Sequence, residues 1–246
     1  FSVHFADEKV SEVSVNRPGE VFVARQGSHE MLRHLDERLT YQELIKFANL
    51  VAQSTDQKIS EELPLLSANI PTLENAEKFY RIQFVRDPAV TKGTCAFSIR
   101  KPSLLNLPYE AYQGIFSSLT QQKEESEQDK HLFQLYEAGN FWEFLKYSVI
   151  YKKNIIISAG TDSGKTTLFN ALLSLIPDYE RIITIEDAKE LTPTQKNVLQ
   201  LYYSRGGQGK ANVTALSLME AVLRLRPNWT LQGEVRGAEA FTFLNL

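Results

Sequence analysis

Apolar and polar residues alternate twice near the start of the chain, in VSEVSV (Val10–Val15) and VFVAR (Val21–Arg25), with NRPGE between them. Period-two alternation interrupted by Asn, Pro and Gly predicts a β-hairpin. Thr40 then precedes Glu43 at capping-box spacing, ahead of the amphipathic run LIKFANLVAQ, which predicts a helix. FYRIQFV and TCAFSIR supply two further strands around the turn-rich RDPAVTKG. Residues 1–100 therefore read as a small α+β domain.

The pattern changes at Lys101. KPSLLNLPYEAY carries two prolines and TQQKEESEQDK is dense in charge, so residues 101–130 read as a solvated linker. Beyond it, strand and helix patterns alternate. HLFQLYEAGNFWEFLKYSVI reads as helix and NIIISA as a buried strand. TTLFNALLSLI places Leu168, Leu172 and Leu175 on one helical face, with Pro177 as the stop. RIITIED is a second buried-type strand. Ser217 and Glu220 have capping spacing in the helix LMEAVLRLR, which Pro227 ends, and WTLQGEV is a third strand. Such alternation predicts βαβ units and a parallel sheet over residues 131–246, with ligands at the carboxyl ends of the strands.

Composition narrows the function. The 246 residues are 43% hydrophobic and 23% charged, with a net charge of −3. That balance offers no general attraction to nucleic acid or anionic lipid, so no sequence-specific nucleic-acid binding is expected. No apolar run reaches bilayer length and no secretory leader pattern opens the chain, so a soluble, intracellular protein is expected. Cys95 is the single cysteine, which excludes an internal disulfide and a cysteine-based zinc site; in TCAFSIR it reads as a buried structural thiol. His4, His29, His34 and His131 lack metal-ligand spacing. The chain has no initiator Met and stops inside the apolar pattern AEAFTFLNL, so it is expected to be part of something longer.

One stretch carries chemistry. SAGTDSGKTT (Ser158–Thr167) follows a predicted strand and opens a predicted helix. A phosphate cradle needs small residues so that consecutive main-chain N–H groups can curl around an anion. Gly160 and Gly164 provide that freedom, with Thr161, Asp162 and Ser163 between them. Lys165 supplies an ammonium for the β- and γ-phosphates, and Thr166, followed by Thr167, supplies a hydroxyl for Mg²⁺. Ala159 stands where the strict pattern has its first glycine. Carboxylates on neighbouring strands complete such a site: Glu186 and Asp187 end one strand and Glu234 ends another.

Taken in order, NIIISAGTDSGKTT, ERIITIEDAKEL and LRLRPNWTLQGEVRGAEAFTFL resemble the secretion ATPases of bacterial type IV secretion systems, of the VirB-eleven type, within the wider type II/IV secretion NTPase superfamily. VSVNRPGEVFV and FSIRKPSLL resemble that family's N-terminal half. The resemblance implies a homohexameric ATPase with a PAS-like N-terminal domain and a RecA-like P-loop domain, binding ATP and Mg²⁺. It implies a place at the cytoplasmic face of the inner membrane, among other secretion ATPases and channel components. It makes Glu186 the acidic-box carboxylate and Glu234 the Walker B carboxylate, both catalytic with Lys165. Thr166 and Glu234 would serve the metal, and Arg81 and Arg100 would reach the phosphates from the N-terminal domain. Asn228 and Gln232 depart from the family pattern.

Two alternatives remain open at this level. One is a pilus or type II secretion motor with the same chemistry, although type II assembly ATPases usually carry a four-cysteine module. The other is a scaffold that binds nucleotide without turning it over.

Overall fold

A computed structural model of the chain describes residues 2–72, 75–102, 108–112, 126–160, 162–204, 209–235, 237 and 239–244. They fall into two compact units, Phe1–Pro102 with Asp178–Leu246, and Ser103–Pro177. Residues 131–246 thus contribute to both.

The first unit opens with α1 (Ser2–Phe5), β1 (Val10–Val15), β2 (Glu20–Arg25), β3 (Met31–Leu35) and α2 (Tyr41–Ser54). β4 (Leu65–Pro71), β5 (Phe79–Arg86) and β6 (Cys95–Arg100) follow. The hairpin, the helix and the two later strands appear where the pattern predicts them, and Thr40 caps α2 by accepting from Glu43 N at 3.3 Å. The sheet order is β3-β2-β1-β6-β5-β4, antiparallel at every pairing. β3 and β4 were not legible as strands: β3 is exposed along most of its length, and β4 ends in Pro71, tolerated because β4 is an edge.

The two faces of this sheet differ. Val13, Ile99, Ile82 and Ala68 stand in one cross-strand row and bury against Leu44, Ala48, Val51 and Ala52 of α2. The opposite face carries Ser14, Ser98 and Gln83 in register, all buried, with Ser14 Oγ 2.8 Å from Ser98 Oγ. Burying them is tolerable because the two hydroxyls bond to one another and to Glu12, while the Gln83 amide donates to Phe84 O at 3.0 Å and accepts from Ser67 Oγ.

That second face is covered by the later part of the chain. β7 (Ile182–Glu186), β8 (Val198–Tyr202) and β9 (Trp229–Gln232) form a parallel sheet in the order β8-β7-β9. Val85, Ala89, Val90 and Ala96 share a core with Ile183, Ile185, Leu199 and Leu201, and with Leu218, Met219 and Val222 of α6 (Ala215–Val222). A polar joint lies beside it. Arg181 is fully buried and donates through Nη1 to Asn16 Oδ1 (2.8 Å) and Asn197 Oδ1 (2.6 Å), and through Nε to Leu225 O (2.9 Å). Burial lowers its pKa to about 10, opposed by the charge of Glu12. The cap of α6 is Thr214, whose hydroxyl accepts from Ser217 N at 3.1 Å, so this helix begins earlier than the Ser217–Glu220 spacing predicts. α7 (Glu239–Leu244) closes the described chain.

The second unit holds α3 (Glu127–Glu137), α4 (Phe141–Ile150) and α5 (Lys165–Leu173). The single helix read over residues 131–150 is two, because Gly139 adopts φ +70° and Asn140 starts the next. The predicted strand NIIISA is not one: residues 154–159 pair with no strand among the described residues, and Ile156 is 75% exposed. Apolar β-branched residues favour extended backbone, yet a strand also needs a neighbour to complete its hydrogen bonds. Among the described residues, no helix is long and apolar enough to cross a membrane.

Candidate functional site

The phosphate-loop residues lie in the second unit, whereas Arg81, Arg100, Glu186 and Glu234 lie in the first. Thr161 is outside the described residues. Gly164 is the N-cap of α5 at φ +85°, a left-handed conformation that glycine adopts without a Cβ penalty. Asp162 is also left-handed, at φ +58°, which a short polar side chain tolerates. Ser163 Oγ donates to Gly160 O at 2.7 Å, tightening the turn. Ala159 is not among the positive-φ residues, so alanine replaces the first glycine of the pattern without backbone strain.

The loop therefore delivers Lys165 and Thr166 as the first two residues of α5, both half-buried, and Thr167 exposed behind them. The open N–H groups of that first helical turn carry partial positive charge. A Cβ on Gly160 or Gly164 would meet nothing within 4 Å, so the cradle is open to an incoming group. Main-chain donors, one ammonium and one hydroxyl fit a polyphosphate. Among the described residues no cluster of three His, Cys, Asp or Glu could hold a metal alone.

Arg81 and Arg100 are brought together. They are register partners on β5 and β6, both exposed. Glu186 and Glu234 come from adjacent parallel strands. Glu186 is the last residue of β7, and Glu234 lies just past the end of β9. Gly233 N donates to Ile185 O at 3.0 Å, which holds the two strand ends together. A Cβ on Gly233 would stand 3.3 Å from Glu186 Cγ, so glycine leaves the acid its room.

The environment of Glu186 was not legible in the sequence. It is 2% exposed and accepts four hydrogen bonds. Thr184 Oγ1 (2.7 Å) and Gln200 Nε2 (3.3 Å) donate to Oε1, and the main-chain N–H groups of Glu190 (2.9 Å) and Leu191 (2.8 Å) donate to Oε2. Thr184, Glu190 and Leu191 lie within five residues of Glu186, whereas Gln200 comes from another strand. Glu234 is half-buried, and its carbonyl oxygen accepts from Gln232 Nε2 at 2.8 Å. Gln232 thus braces the peptide that carries the acid. Asn228 Oδ1 accepts from Arg181 N at 2.8 Å, a role that the carboxylate usual in the pattern could also fill.

Comparison with known proteins fits this arrangement. The family described as Type II/IV secretion system protein matches residues 120–244. The chain belongs to the type II/IV secretion system protein family. Within this family it is similar to the type IV secretion system protein VirB11 of Brucella suis, 39% identical over 246 residues, covering 98% of this chain. The chain spans 66% of that relative's length. The VirB11 protein of Bartonella henselae is 38% identical over 257 residues, covering 99% of this chain and 70% of the relative. A crystal structure of the Brucella suis VirB11 ATPase in complex with sulphate superposes with a TM-score of 0.88 at 37% identity, over 99% of this chain and 72% of that one. The shared fold is α/β with mixed sheets, and the likeness to this type II/IV secretion family protein runs through both halves of the chain.

Proposed function

We propose that the chain is the nucleotide-handling part of a hexameric ATPase that drives substrate transfer or apparatus assembly in a bacterial type IV secretion system. In this reading residues 131–246 build a RecA-like domain, residues 1–100 a PAS-like domain, and 101–130 connect them. The protein works peripherally at the cytoplasmic face of the inner membrane, beside other secretion ATPases and channel components. The observation that carries the reading is the left-handed Gly164 cap that opens α5 on Lys165 and Thr166, in a chain of this family.

The loop's N–H groups and Lys165 bind and orient the phosphates of ATP. Thr166, and Glu234 through water, would hold Mg²⁺, which would supply positive charge against the phosphates. Glu234 is the carboxylate that orients the attacking water and accepts its proton. Arg81 and Arg100 add forked donors from the six-stranded sheet, which couples nucleotide state to the placement of that sheet.

Mg²⁺-dependent phosphate release by the purified chain tests this. Lys165→Ala is expected to lower turnover by about 10²-fold or more with an unchanged circular dichroism spectrum, and Glu234→Gln to keep ATP binding while losing turnover. Wild-type turnover in folded Lys165→Ala overturns the assignment. Equal loss of binding and turnover in Glu234→Gln makes that residue a metal anchor instead.

A further inference from the structure

Glu186 ends a buried parallel strand at the edge where a nucleotide-handling sheet does its chemistry, which invites the role of water-activating base. Its surroundings give it a different one. An ionised carboxylate has about four lone-pair sites, and a base must keep one of them for the proton it removes. All four acceptances at Glu186 go to this chain's own donors, and the side chain is 98% removed from solvent, at 2% exposure.

We infer that Glu186 is a positioning residue: it holds the segment Asp187–Leu191 folded back onto the end of the parallel sheet and takes no proton itself. The two main-chain donors, Glu190 N and Leu191 N, belong to that segment. Gln200 on β8 clamps the same place from the other side, donating both to Glu186 Oε1 and to Leu191 O (3.0 Å). Leu191 is buried, so the returning chain is anchored by packing as well. The main chain of Glu186 is engaged too, its carbonyl accepting from Tyr203 N at 3.1 Å. Burial raises the pKa of Tyr202, the register partner of Glu186, and the Glu186 charge adds to that rise.

What the clamp holds in place is the rim of a cleft of about 390 Å³. Asp187 and Lys189 from the clamped segment line it together with Thr91, Lys92, Tyr202 and Ser204. Gly233 leaves Glu186 its room, since a Cβ there would stand 3.3 Å from Glu186 Cγ. The proposal concerns the site of the proposed ATPase and rests on that reading only for its kinetic arm.

The decisive measurement is amide hydrogen exchange of the whole chain. Glu186→Leu, similar in volume, removes both acceptor oxygens from these donors. The amides of Glu190 and Leu191 are expected to exchange at least about tenfold faster, the counterpart of losing roughly one buried hydrogen bond. Gln200→Met and Thr184→Val each remove one donor from Oε1, and each is expected to loosen the same amides by a smaller factor. If Glu186→Leu does not fold while Gln200→Met folds and loosens those amides, the inference stands. Where turnover is measurable, the acid limb of the pH–rate profile should keep its midpoint in Gln200→Met. A shifted midpoint assigns the titrating base to Glu186 and overturns the proposal. Unchanged protection of Glu190 and Leu191 in folded Glu186→Leu, with turnover lost, overturns it as well. A wild-type chain without turnover defeats the ATPase reading alone, because the exchange data still decide the clamp.

Discussion

Arg81 and Arg100 are direct cross-strand partners, so two guanidinium groups leave β5 and β6 side by side from exposed positions. Like charges placed opposite one another in an antiparallel pair disfavour the sheet by a few tenths of a kcal/mol or more. Neither arginine has an ion pair with a carboxylate among the described residues. An anion bridging both forks relieves the repulsion and uses the planar donor geometry that lysine lacks.

Replacing both arginines by alanine is therefore expected to weaken nucleotide binding by about tenfold per arginine, the size of a charge-assisted hydrogen bond. Stability in urea should stay within about 0.5 kcal/mol of wild type, because both side chains are exposed. Titration with a fluorescent ATP analogue and a denaturant melt check the two halves. Unchanged affinity in the double variant assigns the pair to the solvated surface.

Arg181 carries a second expectation. Its guanidinium is fully buried, and oxygens of Asn16, Asn197 and Leu225 accept from it. Arg181→Ala takes this donor from Asn16 Oδ1 and Leu225 O beside a void, while Asn197 Oδ1 keeps the bond from Asn16 Nδ2 (2.9 Å), and should destabilise by about 3–5 kcal/mol. Arg181→Met refills the volume and should lose less, about 1–3 kcal/mol, the penalty for the abandoned acceptors. Urea unfolding of both variants measures the difference. Equal losses would show that packing volume plays no part.

The third concerns pH. Burial pushes the Cys95 thiol from its ordinary 9.0 up to about 12. Well below pH 9 the thiol is protonated in folded and unfolded chains alike, and the balance between them is unaffected. From pH 9 to about 12 the unfolded chain releases this proton and the folded chain retains it, so stability falls as pH rises through that window, by at most about 1.4 kcal/mol per pH unit. Cys95→Ala should offset stability at all pH values through lost packing, but its stability should decline less steeply above pH 9. Denaturant melts at pH 8, 9 and 10 compare the slopes.

What the sequence disclosed was what neighbouring residues decide among themselves. The phosphate loop is ten consecutive residues, from Ser158 to Thr167, and its turn chemistry can be read in place. The Thr40 cap, the first hairpin and strands β5, β6, β7 and β9 were legible for the same reason, whereas β8 (Val198–Tyr202) was not read as a strand. Gly139 and Asn140 signalled a helix break that the apolar spacing on either side obscured. Residues 154–159 look like a strand by composition, but strand formation is settled by a partner that the segment itself cannot supply. The clamp on Glu186 depends on Gln200 from another strand, and the Arg181 joint gathers atoms from Asn16, Asn197 and Leu225. Nothing local marks such meetings.

The two-faced sheet has a consequence for the order in which the protein is made. All six of its strands have been synthesised by Arg100, but the residues that cover its second face begin at Arg181. About 80 residues of translation separate the two events, roughly 4–16 s at ordinary ribosomal speed. Throughout that interval Val85 and Ala96 face water on the nascent chain. The row of Ser14, Ser98 and Gln83 lies across the same face. These polar side chains, awkward to bury at the end, keep the waiting sheet wettable and discourage it from sticking to its neighbours on the polysome.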